Sequence, residues 1–294
     1  MITIHQILLD AVEILKKNNI QTPRLDGEVI LAHLLDYNRV DLIIRYNEVL
    51  DKEQEKEYFD KIKLRAKGMP VQYITGHQEF MGLDFHVTPD VLIPRPDTET
   101  LVELAIQEAN SMDKPLTIVD IGTGSGAIAL SLAHYIKDVQ IHTIDISSKA
   151  IEIAKKNAKS LSLEKKVDFY QGDLLSPIKG LLEGKVDLLV SNPPYITSKD
   201  MLSLQREVKD FEPSLALDGG MEGLDFYDKI INQGMDYLSY QGKIILEIGH
   251  DQGEEVSSIL RGKNIFKYIN IVKDLGGLDR VVLAKDLRTK DRGN

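Results

Sequence analysis

The 294-residue chain contains no cysteine, so disulfides, thiolate zinc sites and a cysteine nucleophile are excluded and any catalysis rests on other groups. It also lacks a run of about 18 uncharged apolar residues, the length a membrane helix needs. The opening MITIHQILLDAVEILKK carries Asp10 and Glu13 inside its apolar stretch, so neither an export signal nor a membrane partner is expected, and the absent cysteine fits a reducing, cytoplasmic setting. Positive charge is in short supply. With 36 Lys and Arg against 46 Asp and Glu the formal net charge is −10, which disfavours nonspecific grip on phosphate backbones as the main task and leaves a local basic patch open. The 7 histidines show no ligand spacing, so no metal is expected, and His77 and His86 read as surface or packing residues. What is present, 43% hydrophobic and 28% charged residues with 21 Gly and 10 Pro, describes a folded chain of one large domain or two unequal ones.

Apolar residues Ile4, Ile7, Leu8, Ala11, Val12 and Leu15 recur at three- and four-residue spacing and predict an amphipathic helix from Thr3 to Lys17. Thr22-Pro23 reads as an N-cap and first helical position for a second helix with Val29, Ile30, His33, Leu34 and Tyr37 on its buried face. A short helix near Val40 to Tyr46 and a charged one near Lys52 to Lys67 complete a small helical domain over 1–70, with 11 basic and 12 acidic residues. Its function is either packing or partner docking. Over 71–96 the β-branched and aromatic texture, Gly76 and Gly82, and the prolines predict a β-hairpin linker. From Asp97 a helical pattern leads into alternating elements over 97–286, and 287–294 reads as a polar tail. Strands are expected at 116–121, 140–145, 167–171, 186–191, 243–248, 265–272 and 281–284, with helices around 127–135, 149–161, 224–238 and 252–261. The expected class is therefore α/β, an open Rossmann-like sheet that binds ligands beyond the carboxyl ends of its strands.

Strand IVDI runs directly into Gly122-Thr123-Gly124-Ser125-Gly126 and then into the helix AIALSLAHY. Glycines there let backbone approach a ligand, and the helix N-terminus offers free N–H groups. Asp145 closes the next strand, about twenty residues on, where a carboxylate accepts from both hydroxyls of a ribose. The loop alone does not choose the ligand, because Gly122, Gly124 and Ala127 also satisfy the dinucleotide fingerprint. After the third strand, Asp173 and Leu174 pair a carboxylate with an apolar side chain, suited to the edge and face of an adenine. After the fourth comes Asn192-Pro193-Pro194-Tyr195. Prolines lack N–H donors and fix φ, so this turn is stiff and presents acceptors: the Asn192 side-chain carbonyl, the Pro193 backbone carbonyl and the flat face of Tyr195. Together they suit a planar NH2 group held for in-line attack on an electrophilic methyl.

IVDIGTGSGAIALSLA, Asp145 and SNPPY together resemble class I S-adenosylmethionine-dependent methyltransferases acting on planar nitrogen. PVQYITGHQEFMGLDFHVTPDVLIPRPDTE, EPSLALDGGMEGLDFY, and EIGHDQG with VKDLGGLDRVV narrow the resemblance to the protein-(glutamine-N5) methyltransferases of peptide chain release factors, the PrmC/HemK family, from Pro70 to Ala284. The resemblance implies S-adenosylmethionine as cofactor, with its methionine part on Gly122, Thr123, Gly124, Ser125 and Gly126, its ribose on Asp145 and its adenine on Leu174 with Asp173 nearby. The family often has an aromatic residue at the Leu174 position. Asn192, Pro193, Pro194 and Tyr195 would bind and orient the substrate amide, with Asn192 also close to the sulfonium. The implied substrate is the glutamine of the GGQ motif in class I release factors, the product S-adenosylhomocysteine, and no metal or nucleic-acid substrate is implied. A nucleic-acid amino methyltransferase shares the loop and the NPPY logic and is the alternative; a noncatalytic binding module is the rival of another class. Arg95, Asp97 and Glu99 read either as a family element or as a helix start with acidic first-turn residues. Glu247 ends a strand near the site.

Overall fold

Local capping decides where several helices of the N-terminal part begin. The computed structural model describes residues 2–287, and the chain forms two units. One runs through His77 and takes in Gln205–Phe211; the other holds Gln78–Leu204 and the chain from Glu212 onward. In the first, β1 (Ile2–Thr3) leads into α1 (Ile4–Lys17), whose N-cap Thr3 accepts a hydrogen bond from Gln6 N. Then come α2 (Pro23–Leu35), α3 (Arg39–Ile44), β2 (Val49–Leu50, antiparallel to β1), α4 (Lys52–Ala66) and α5 (Val71–Thr75). Asn38 with Asp41, and Asp51 with Gln54, form reciprocal capping boxes that start α3 and α4. Ile4, Ile7 and Leu15 of α1 meet Ile30 and Leu31 of α2 and Tyr58 and Ile62 of α4 in a single core.

Two expectations for α2 are corrected. Its buried residues are Asp26, Gly27, Ile30, Leu31 and Ala32, while His33 is exposed and Tyr37 lies past the helix end. Polar partners turn that face inward: buried Arg65 holds Asp26 at 2.6 Å, and Tyr58 donates to the Gly27 carbonyl at 3.0 Å. Thr22 caps no backbone N–H; its hydroxyl instead donates to the Asp26 side chain at 2.7 Å. The same Arg65 bonds Glu207 at 2.5 Å, which fastens the Gln205–Phe211 segment into this unit.

The hairpin of β3 (His77–Phe80) and β4 (Leu83–His86) turns through Met81 and Gly82. There follow α6 (Glu99–Asn110), β5 (Leu116–Ile121), α7 (Ala127–Tyr135), β6 (Val139–Asp145), α8 (Ser148–Ser160), β7 (Val167–Gln171) and β8 (Val186–Ser191). After α9 (Arg206–Phe211), the segment counted with the first unit, the chain continues through α10 (Asp225–Gly234), β9 (Leu238–Glu247), α11 (Gly253–Gly262), β10 (Phe266–Lys273) and β11 (Asp279–Leu287). The seven-stranded sheet has the order β10-β11-β9-β8-β5-β6-β7, parallel except for β11, which runs antiparallel to both its neighbours. Both faces are covered. Ile118, Leu188, Val190 and Ile245 pack with α6 and α7, whereas Val119, Leu189, Ile244 and Leu246 pack with α10 and α11, which is why these strands read as unbroken apolar runs.

The helix expected over 224–238 stops at Gly234, because Leu238 pairs with Val186 and Tyr237 donates to the Leu175 carbonyl; β9 therefore begins five residues before the expected Lys243. β11 also exceeds its expected 281–284 span, since pairing with β10 continues to Leu287. The rest of the tail assigned to 287–294 lies outside the described residues. Among those described, no helix is long and apolar enough to cross a membrane.

Candidate active site

Strand register brings the conspicuous residues to one end of the sheet. Ile121 lies beside Ile144 on one side and Ser191 on the other, Asp145 beside Gln171, and Ser191 beside Leu246. The loops after five parallel strands thus leave from neighbouring positions, and the chain reverses its direction of winding between β5 and β8, the position where open α/β sheets form a ligand crevice.

The turn after β5 needs its glycines. Gly122, Gly124 and Gly126 all have φ between 53° and 87°, where a side chain is strained, and a Cβ on Gly124 would meet nothing within 4 Å. That open space, a helix start with no side-chain cap, and the N–H groups of α7 form a cradle for a polar ligand. Asp145 braces it, its Oδ2 accepting from Gly124 N at 2.9 Å and its Oδ1 from Ser147 N at 2.8 Å. Each oxygen keeps a lone pair for a hydroxyl. Burial pushes the Asp145 carboxyl up, against the pull of the Gly124 and Ser147 N–H groups. Asp145 does not cap α8; Ser147 does, accepting from Ala150 N. Beneath the turn Asp120 is fully buried and accepts from Thr143 at 2.8 Å; burial raises it to about 7. Asn157, also fully buried, donates to the Ser125 and His86 carbonyls at 2.8 and 3.0 Å and so ties the turn to the hairpin exit. Thr123 and Ser125 are buried in the turn itself.

Asp173 is exposed, while Leu174, with φ at 47°, is buried among Ile121, Ile144 and Leu175. A branched apolar residue in the left-handed region is costly and is held there by this packing.

Asn192 and Pro193 follow directly from β8, whose end is pinned by Ser191 Oγ donating to the Ile121 carbonyl at 2.7 Å. The Asn192 amide nitrogen donates to Thr98 Oγ1 at 3.1 Å, which leaves the amide oxygen as the end free to accept. Pro193 is buried and Pro194 and Tyr195 are partly buried. The turn is clamped from behind. Ile196 N donates to the Leu217 carbonyl and Gly219 N to the Ile196 carbonyl, and a Cβ on Gly223 would lie 2.3 Å from the Tyr195 carbonyl oxygen. Gln252 adds a bond from Nε2 to the Tyr195 carbonyl at 3.1 Å while its Oε1 accepts from Gly249 N at 3.0 Å. The DGGMEG and GHDQG stretches therefore serve the NPPY turn.

Ion pairs draw in the remaining motifs. Arg95 bonds the buried carboxylate of Glu212, Asp97 meets Arg280 at 3.1 Å, and Glu99 accepts from Met81 N at 2.8 Å. Asp97 and Glu99 do stand in the first turns of the short helix at Pro96–Thr98 and of α6, as the helix-start reading has it, and each of the three also bonds a partner distant in sequence. Glu247, 1% exposed, has Oε1 at 3.5 Å from the Tyr195 hydroxyl; burial lifts its carboxyl to about 7, opposed by the nearby Thr98 hydroxyl and Arg280 charge. Burial likewise keeps the Tyr195 phenol above its ordinary value. Sequence reasoning missed Thr98, Asp120, Asn157, Gln252 and Arg280; only Thr98, Asp120, Gln252 and Arg280 stood inside the motifs it quoted.

Known proteins match both units. Residues 6–76 match the PrmC N-terminal domain family and residues 99–222 the methyltransferase small domain family. The release factor glutamine methyltransferase of Moorella thermoacetica is 43% identical over 282 residues, covering 96% of this chain and 98% of its own; that of Clostridium acetobutylicum is 44% identical over 284 residues with the same coverage. The chain belongs to the release factor glutamine methyltransferase family. As a member it is a methyltransferase, and the α/β reading of its sequence and the family resemblance both hold. Among solved structures, the hMettl16 catalytic domain in complex with the MAT2A 3′UTR hairpin 6 aligns with a TM-score of 0.55 at 16% identity, over 82% of this chain and 84% of that one, a likeness of fold alone.

Proposed function

We propose that this chain methylates the side-chain amide nitrogen of the glutamine in the GGQ motif of class I peptide chain release factors, with S-adenosylmethionine as donor and S-adenosylhomocysteine as product. One observation carries the reading: Asn192, just past the carboxyl end of β8, turns its amide nitrogen to Thr98, which leaves its amide oxygen to accept from a substrate alongside the Pro193 carbonyl and the Tyr195 ring that follow it in the turn. An NH2 group presents two hydrogens in one plane; two acceptors hold them and the ring supports the plane. Bound S-adenosylmethionine supplies an electrophilic methyl group on a sulfonium. The backbone of Gly122, Thr123, Gly124, Ser125 and Gly126 would hold its methionine part, Asp145 its ribose hydroxyls, and Leu174 with Asp173 its adenine. Asn192, Pro193 and Tyr195 then contribute by positioning an otherwise poor amide nucleophile, a contribution that well-oriented reactions show to be large.

The helical unit is the docking element in this reading, supported by exposed apolar side chains on and after α3: Val40, Ile43, Ile44 and Tyr46. The names of the relatives support a release factor as substrate, and the reading places the chain in the cytoplasm without a membrane or nucleic-acid partner. The test is transfer of labelled methyl from S-adenosylmethionine to a purified class I release factor, beside its GGQ glutamine-to-alanine variant and a nucleic-acid control. Label on the unaltered factor alone is expected; label on nucleic acid alone overturns the substrate.

A further inference from the structure

Asn157 of α8 is fully buried, and its side-chain amide is engaged at both ends. Nδ2 donates to the Ser125 carbonyl at 2.8 Å and to the His86 carbonyl at 3.0 Å, and Oδ1 accepts from His86 N at 2.8 Å. An amide has two N–H donors and one carbonyl, so none of its groups is idle. All three bonds leave α8, two for the exit of the β3–β4 hairpin and one for the glycine turn after β5. One helical turn earlier on the same face, Ala154 lies against Gly126, where a Cβ would stand 3.2 Å from the Ala154 Cβ. Other bonds close the turn on itself and on β6: Gly126 N donates to the Thr123 carbonyl at 2.8 Å and Gly124 N to Asp145 at 2.9 Å. The Ser125 carbonyl is where α8 takes hold of it. With three glycines in five residues, the turn has many conformations open to it once that hold is lost. A ligand then binds only the fraction of molecules in the receptive form, and its apparent Kd rises in inverse proportion to that fraction.

We propose that Asn157 is a positioning residue for the cofactor turn: it holds residues 122–126 in the form that receives S-adenosylmethionine before the cofactor arrives, and it couples that turn to the hairpin exit at His86. This rests on the reading of the glycine turn as the cofactor cradle and not on the identity of the methyl acceptor. Fully buried, Asn157 acts through Ser125 rather than on the cofactor itself. Bound cofactor re-forms the turn around itself, so the effect falls on affinity and not on the transfer step. An asparagine that only completed the fold would lower stability when replaced and leave the affinity of the folded molecules unchanged.

The test measures S-adenosylmethionine affinity by calorimetry for the unaltered chain, Asn157→Ala, Asn157→Leu, which keeps the volume without a hydrogen bond, and Val167→Ala, which loosens the core beside α8 at the end of β7 remote from Asp145. Both Asn157 variants should bind at least about tenfold more weakly, the loss expected when the turn spends about a tenth of its time or less in the receptive form. Their kcat on release factor at saturating cofactor should stay within about threefold. Val167→Ala should bind within about twofold of the unaltered chain. A further measurement needs no variant: hydrogen exchange resolved to single amides should show cofactor binding slowing the His86 N–H, the donor to Asn157, more than the rest of the hairpin. Unchanged affinity in either Asn157 variant, an equal loss in Val167→Ala, a kcat that falls together with affinity, or no added protection at His86 overturns the proposal. No binding of S-adenosylmethionine by the unaltered chain would refute the cofactor reading and this proposal with it, whereas intact binding with any of those outcomes refutes the proposal alone.

Discussion

Asp120 gives the sharpest quantitative expectation. It lies fully buried beneath the glycine turn, one oxygen accepting from Thr143 at 2.8 Å and the other without a hydrogen-bond partner among the described residues. Burial, with the nearby Asp145 charge, raises it from 3.8 to about 7. The folded chain therefore holds this proton more tightly than the unfolded chain, so stability is fully present below pH 3.8 and is lost as pH rises toward 7. At 1.36 kcal/mol per pH unit, the loss is about 4 kcal/mol once pH exceeds the folded value. Asp120→Asn cannot ionise and keeps an oxygen to accept from Thr143. Its stability relative to the unaltered chain should climb by about 1.4 kcal/mol per pH unit across this window and level off above pH 7, about 4 kcal/mol above the difference measured below pH 3.8. Urea denaturation at several pH values measures this, followed by circular dichroism because the chain has no tryptophan. Glu247 titrates in the same direction but is common to both proteins, so it cancels from the difference. A difference that does not change with pH would refute the reasoning.

Three further outcomes concern the site. Asn192→Ala should cut turnover on release factor about 100- to 1,000-fold, the usual effect of losing one polar group that positions the reacting atoms, with cofactor affinity measured by calorimetry within a few-fold; unchanged turnover would count against its role. Asp145→Ala removes an acceptor braced by Gly124 and Ser147 and should weaken S-adenosylmethionine binding about 10- to 100-fold, the worth of a charge-assisted hydrogen bond; titration giving full affinity would remove Asp145 from the ribose site. In Gly223→Ala, at φ 70°, the new Cβ would stand 2.3 Å from the Tyr195 carbonyl, so the NPPY turn must shift. Turnover should fall at least tenfold, the cost of small displacements in a positioned site, with cofactor affinity kept; kinetics and calorimetry on one preparation read both.

The legible parts of this site are those where the backbone itself restricts residue choice. Positive φ at Gly122, Gly124 and Gly126, and missing N–H groups at Pro193 and Pro194, leave marks in the residue types, and the apolar strands before them say where in a sheet those marks stand. Partners across long separations leave no such mark. Thr98 meets Asn192 over 94 positions, Asn157 meets His86 over 71, and Tyr195 meets Glu247 over 52. Each of these bonds exists because strand register delivers its members to one place, and register is set by packing of the whole sheet. The misreading of α2 has the same origin: periodicity ranked His33 above Asp26 for burial, and only the distant Arg65 makes Asp26 the inward residue.

Tandem mass spectrometry of a class I release factor after incubation with this chain and S-adenosylmethionine tests the central claim most directly, because it locates the transferred methyl. The account predicts one methyl, on the side-chain amide of the GGQ glutamine. A methyl on any other residue, or an unmodified factor beside a chain that still binds S-adenosylmethionine, would contradict it.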